Sequence, residues 1–168
     1  TVISKYTPRD QDKRLFFIGR DVDSIMEYVA NMPRCAQPDG FTTYTCIQDP
    51  PSGSLKGLDA SVDLGGGKLN ARMLLANLPQ AALSLRLDIA DRSGTNLKHI
   101  VNGMHDHHLD ALARFILSAG RPVFLSVGYH FDAQWLKYEP HSYIRAFRKI
   151  VIHLRVSKKV TNFVSVWQ

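Results

Sequence analysis

Arg121-Pro122-Val123-Phe124-Leu125-Ser126-Val127-Gly128-Tyr129-His130-Phe131-Asp132-Ala133-Gln134-Trp135 begins as an apolar run and then breaks abruptly into Tyr, His, Asp and Trp. The run reads as a buried strand, and its C-terminal end carries the residue types that move protons and stack on ligands. The strand is therefore a scaffold, and Tyr129, His130, Asp132 and Trp135 at its exit are the first site candidates.

The flanks define what kind of strand it is. Upstream, Leu109, Leu112, Phe115 and Ile116 fall on one face of a helix predicted over 106–119, which Gly120 stops and Pro122 follows. Downstream, Pro140 opens a second helix, predicted over 140–155, with Tyr143, Ile144, Phe147, Ile150, Val151 and Leu154 as its apolar stripe. Helix, buried strand, helix is the repeat of a parallel α/β sheet.

The same alternation extends over the whole chain. Strands are expected at 15–18, 42–47, 82–90, 123–129 and 160–167, all parallel, with their C-terminal ends on one rim. Asp21 or Asp23 caps a helix after the first strand, whose inner face is Ile25, Tyr28, Val29 and Met32 before Pro33 ends it. Leu69 to Leu78 reads as a short helix, and 57–64 carries no clear pattern. The expected fold class is α/β, a single domain over 1–168 built as a TIM-type (β/α) barrel. Five units cannot close an eight-stranded sheet. Two readings stay open: a part of a longer barrel, or a reduced open sheet whose edges a protein partner covers. In a parallel barrel the strand-to-helix loops carry the site, which adds Arg20, Asp21 and Asp88 as ligand contacts; a strand-end Asp such as Asp88 also commonly bonds its own loop.

At 168 residues and 45% hydrophobic content, the chain can bury a sizeable core. No apolar stretch reaches the roughly 20 residues of a membrane span, and Thr1–Lys5 lacks the apolar core of a signal peptide. Cys35 and Cys46 form no metal pattern; one disulfide and two free thiols are both open. Lys137, Arg145, Arg148, Lys149, Arg155, Lys158 and Lys159, against Glu139 alone, account for the whole net charge of +6. A solvated helix face explains this stripe better than a nucleic-acid surface, because no nucleic-acid motif accompanies it.

Two tempting motifs do not carry chemistry by their spacing. Gly65-Gly66-Gly67-Lys68 lacks the glycine separation and the hydroxyl of a phosphate loop, and reads as a turn. In His105-Asp106-His107-His108, adjacent imidazoles on a helix diverge by about 100°, so Asp106 is expected as an N-cap with the histidines in solvent. No metal and no cofactor are expected.

The run Val127-Gly128-Tyr129-His130-Phe131-Asp132-Ala133-Gln134-Trp135, the segment Tyr138-Glu139-Pro140-His141-Ser142-Tyr143-Ile144-Arg145-Ala146-Phe147-Arg148 and the tail Asn162-Phe163-Val164-Ser165-Val166-Trp167-Gln168 resemble glycoside hydrolase family 26, the mannanase-related (β/α) barrels. Phe17-Ile18-Gly19-Arg20-Asp21-Val22-Asp23-Ser24-Ile25 extends the likeness. The resemblance implies a secreted domain that handles a polysaccharide of β-mannan type, with Trp135 and Trp167 stacking on sugar faces, His130 at the family's acid/base position and Asp132 as a second catalytic candidate. Where the family motif carries Glu and, four residues earlier, Arg, this sequence has His130 and Ser126. Glycosidases of this kind use two carboxyl groups, and the family's second one would lie beyond Gln168. The expectation is a glycoside hydrolase-like domain with impaired catalysis; the rival is a non-catalytic carbohydrate-binding or structural subunit.

Overall fold

The computed structural model describes residues 14–49, 51–129 and 133–166, and His130, Asp132 and Trp167 lie outside them. The strands are β1 (Phe17–Gly19), β2 (Gly40–Cys46), β3 (Val62–Asp63), β4 (Lys68–Leu69), β5 (Ala82–Asp88), β6 (Val123–Val127) and β7 (Phe163–Val166). The helices are α1 (Val22–Asn31), α2 (Ala71–Asn77), α3 (Asn96–Val101), α4 (Asp106–Ala119) and α5 (Pro140–Ile152).

One five-stranded sheet has the order β1-β2-β5-β6-β7, and each of its pairings is parallel. Every strand thus lies beside the next one in the sheet, a singly wound order. With crossovers of one hand, such an order places the intervening helices on one face. Burial follows that logic. Leu83, Leu85 and Leu87 are fully buried, in register with Phe41, Thr43 and Thr45 on β2 and with Val123, Leu125 and Val127 on β6. They share one core with Ile25 of α1, Leu74 of α2, Ile100 of α3, Leu112 and Ile116 of α4, and Tyr143 and Ile150 of α5. The residues between them, Thr42, Tyr44, Ser84, Arg86 and Phe124, are half-buried and face the other way.

That second face is concave. The Phe17 and Phe124 rings meet edge-on at 5.6 Å although two strands separate β1 from β6. Gly40 makes this possible: a Cβ there would collide with the Phe17 ring and sit 2.6 Å from the Ala82 carbonyl oxygen. Such curvature belongs to a sheet on its way to barrel closure.

The opposite ends of the strands are clamped by polar side chains. Arg121 donates to the carbonyls of Leu75 (3.0 Å), Leu78 (2.5 Å) and Ala81 (3.2 Å), satisfying the C-terminal end of α2. Asn162 donates to the carbonyls of Ile116 (2.7 Å) and Arg121 (3.0 Å), tying the entrance of β7 to the end of α4.

Several expectations shift. Strand β2 starts at Gly40 and β6 stops at Val127, because Gly128 adopts φ 95° and leaves the ladder. The unpatterned stretch holds β3, which pairs with β4 as an antiparallel hairpin. Its turn is held by Asp63, whose Oδ1 accepts from Gly65 N at 2.8 Å and Gly66 N at 3.3 Å, so the glycine run is a turn as expected. Helix α3 has too short an apolar stripe to have been read. Helix α5 gives way to a wider turn over His153–Ser157, placing Leu154 in the core. Asp106 is the first residue of α4 and not its cap, and His105 before it is buried at 1% exposure, not solvated. Both cysteines are free thiols; burial raises the Cys46 thiol to about 11. Among the described residues no helix is long and apolar enough to cross a membrane.

The basic stripe is partly neutralised by α4. Lys149 pairs with Asp106 at 3.0 Å, and Lys158 with Asp110 at 2.9 Å, while His153 meets the same Asp110 at 2.7 Å. Arg155 lies over the Phe163 ring at 5.2 Å. Arg145 and Arg148 remain exposed.

Two outcomes test this packing. Ile150 is fully buried between α5 and the sheet, so Ile150→Ala should lower unfolding free energy by about 2–5 kcal/mol in chemical denaturation. Phe147, only partly buried at the edge of that core, should cost less when truncated. Glu139 caps α5, accepting from His141 N (2.9 Å) and Ser142 N (2.7 Å); a hydrogen bond from the Ser142 side chain, then these two amides, depress its carboxyl from the usual 4.5 to about 2. A depressed native value means the contribution is full above pH about 4.5 and lost as pH falls toward 2. The stability gap between wild type and Glu139→Gln, followed in denaturant melts, should therefore shrink across that window.

Candidate functional site

At the C-terminal end of β6, the chain is forced to turn by contacts that leave little freedom. The Tyr143 hydroxyl donates to the Val127 carbonyl at 2.7 Å from within the core. Its ring lies over Gly128, where a Cβ would stand 2.6 Å from Tyr143 Cε2. Gly128 N and Tyr129 N both donate to the Leu87 carbonyl, at 2.9 and 3.3 Å. Past that clamp, Tyr129 swings over the concave face.

There it meets residues from the neighbouring strands. Tyr129 stacks on Tyr44 of β2, with centroids 6.0 Å apart and planes at 26°. The Arg86 guanidinium of β5 lies 5.0 Å from the Tyr129 centroid, and Arg20, following β1, lies 5.6 Å from the Tyr44 centroid. Arg20, Tyr44, Tyr129 and Arg86 thus form a ladder along the strand-end rim in which two stacked aromatic rings lie between two cations. Attraction between guanidinium and ring preorganises both, worth about 0.5–1 kcal/mol each at exposed sites.

A second layer holds the rim. The Tyr138 oxygen lies 2.9 Å from both Asp88 Oδ1 and the Tyr129 carbonyl oxygen, donating its one proton between them. Burial, then the negative charge of Asp88, pushes the Tyr138 phenol well above its ordinary value, so it stays a donor. Asp88 also accepts from Ala90 N at 3.2 Å. The loop after Ala133 is fastened by Lys137 N donating to the Asp91 carbonyl at 3.1 Å. Trp135 stands on that loop with 61% of its surface exposed.

The predicted residues separate into groups. Arg20, Tyr129 and Asp88 gather on one rim, with Trp135 on the loop that follows it. Asp21 is committed as the N-cap of α1, accepting from Ser24 N at 2.9 Å, a bond that holds its carboxyl below the usual range. Asp88 bonds its own loop as well as Tyr138. His130, Asp132 and Trp167 are outside the described residues. Ser126 is 6% exposed and lies in register beside Arg86. A positive charge therefore remains one strand away from the position where the family motif carries Arg.

Sequence reasoning missed Tyr44, Arg86 and Tyr138. A signal for Arg86 existed: a lone guanidinium inside the alternating run 82–90 must point to the face opposite the leucines. Tyr138 carried none, since its partners lie on another strand. A cavity of about 440 Å³ lies elsewhere, lined by 54–62 and Ala111.

Neither a family model nor a curated protein sequence matches the chain. Solved structures do. The YdhT protein from Bacillus subtilis superposes with a TM-score of 0.61 at 10% identity, over 94% of this chain and 56% of that one. A modular endo-β-1,4-mannanase of glycoside hydrolase family 26 from Cellulomonas fimi gives 0.56 at 14% identity, over 91% and 41%. The mannanase man26 from Bacillus subtilis gives 0.58 at 10% identity, over 94% and 57%. The chain spans about half the length of these proteins. At such identities the likeness is one of fold: an incomplete parallel (β/α) barrel similar to the mannanases of family 26.

The rim's dependence on Tyr138 is testable. Tyr138→Phe leaves the part-buried Asp88 carboxylate and Tyr129 carbonyl without their shared donor, an expected cost of about 1–3 kcal/mol and a loosened Tyr129. Equilibrium unfolding, with hydrogen exchange at 128–130, should register both.

Proposed function

We propose that the strand-end rim binds a β-mannan-like polysaccharide and that this chain, as it stands, does not cleave it. The observation that carries the reading is the ladder of Arg20, Tyr44, Tyr129 and Arg86 with the exposed indole of Trp135 beside it. Aromatic faces offer an apolar platform to a pyranose ring, and guanidinium groups hydrogen-bond its hydroxyls. Similarity of fold to endo-β-1,4-mannanases supports this substrate class. In this reading Tyr129 and Trp135 stack on sugars, Arg20, Asp88 and Asp132 hydrogen-bond hydroxyls, and Trp167 adds a further platform.

Retaining and inverting glycosidases alike place two carboxyl groups about the scissile bond. His130 stands where the family motif has Glu. An imidazole can donate a proton near neutral pH, but it needs a second group to attack or to activate water. The edges of the sheet at β1 and β7 are, in the same reading, covered by a protein partner or by further chain, since unpaired strand edges invite pairing. Secretion would suit a polymer substrate too large to enter a cell.

Binding and cleavage are measured separately. In affinity electrophoresis on β-mannan the protein should be retarded, with Tyr129→Ala and Trp135→Ala each weakening retention about tenfold, as the loss of one stacking contact predicts. In a reducing-end assay it should release nothing. Turnover that disappears in His130→Ala would replace this reading with one in which His130 is the acid. No retention on mannan or related β-glycans would remove the polysaccharide altogether.

A further inference from the structure

Behind the rim, on the helix side of β2 and β5, Asn96 commits both amide hydrogens. Its Nδ2 donates to the carbonyls of Ile47 at 2.6 Å and Ile89 at 2.9 Å, which end the two strands. The network therefore turns Asn96 Oδ1 toward His105 Nε2, 3.0 Å away. That nitrogen is also 3.3 Å from Asp49 Oδ1, and the other oxygen of Asp49 is 2.5 Å from His99 Nδ1. One carboxylate thus bridges two imidazoles, and the three donor atoms lie within 4.8 Å of one another.

We propose that Asp49, His99 and His105 form a site for one divalent transition-metal ion of the zinc class, clipping the loop after β2 to α3 and to the turn before α4. Two imidazole nitrogens and a carboxylate oxygen are a donor set that such ions select. Bonds of about 2.0–2.2 Å place the donors of a tetrahedral ion about 3.4 Å apart, a distance these side chains reach by small rotations. Asn96 Oδ1 or solvent supplies the fourth position.

The surroundings suit the role. The His105 side chain is 1% exposed, whereas those of Asp49 and His99 are 31% and 30% exposed, so the site is anchored on one side and reachable from the other. Among the described residues, His105 Nδ1 has no hydrogen-bond partner. The ring proton can move from Nε2 to Nδ1 without breaking a bond there, which frees the Nε2 lone pair for the ion. The neighbouring His108 stacks on the His105 ring with centroids 5.6 Å apart, and His107 lies against His108 at 3.9 Å; neither belongs to the three-donor set.

The metal-free full chain, titrated with zinc chloride by calorimetry and with cobalt chloride by visible absorption, tests the assignment. The expected result is one ion per chain, intense four-coordinate cobalt bands, and a higher melting temperature in zinc. His99→Gln and Asp49→Asn, both at part-exposed positions, should remain folded by circular dichroism and bind about 100-fold more weakly. His107→Ala, at an exposed position outside the set, should bind as the wild type does. Absence of stoichiometric binding at tens of micromolar zinc, unchanged affinity in His99→Gln, or a loss confined to the His107→Ala variant would each overturn the site and leave Asp49 a hydrogen-bonding bridge only.

Discussion

Everything in this protein presupposes that five strands present the same parity of residues to the same side. In a parallel sheet, a slip of one residue would send Leu83, Leu85 and Leu87 to the concave face and Ser84, Arg86 and Asp88 into the helices. An unpaired guanidinium and carboxylate in that core would cost more than the fold's net stability could offset. The register is thereby pinned, and with it the placement of Tyr44 and Arg86 on one face. The ladder at the rim follows from the same parity that builds the core.

Curvature is the second constraint, and small residues set it. Phe17 reaches Phe124 because Gly40 and Ala82 leave the surface between them low. A concave sheet brings β1 and β6 side chains together, so residues far apart in sequence converge at the strand ends. At the opposite ends Arg121 and Asn162 close the helix termini with backbone-directed bonds. The two ends of the sheet differ in kind: one is satisfied by its own side chains, while the other presents rings and charges.

The tyrosines show how a site is held without being part of the chemistry. Tyr143, fully buried, fixes the Val127 carbonyl and shields Gly128; Tyr138 bridges the exit of β5 to the exit of β6. Both hydroxyls donate to carbonyl or carboxylate oxygens that are drawn partly out of solvent, where each lost hydrogen bond is costly. Their removal would loosen Tyr129 and its neighbours long before the core failed. The acidic residues of α4 do comparable work for the cationic helix beside it, since Asp106 and Asp110 draw in Lys149, His153 and Lys158.

The elements whose signal is local were legible in the sequence. Helix α4 runs over Asp106–Ala119 as its apolar spacing and Gly120 require, and α1 begins after Asp21 because a carboxylate there satisfies a free amide. The parallel order followed from alternation of strand and helix, which leaves a crossover no other face to pack on. What only the tertiary structure decided depends on partners distant in the chain. His105 reads as a solvated neighbour of an N-cap until Asn96 and Asp49 are brought to it, because nothing in a run of four polar residues shows which one a β-strand end will bury. Tyr138, Arg86 and Tyr44 become a rim only when the sheet curves, and that curvature depends on which small residues meet across neighbouring strands. Local propensity speaks for elements; convergence of side chains across strands is a property of the closed geometry alone.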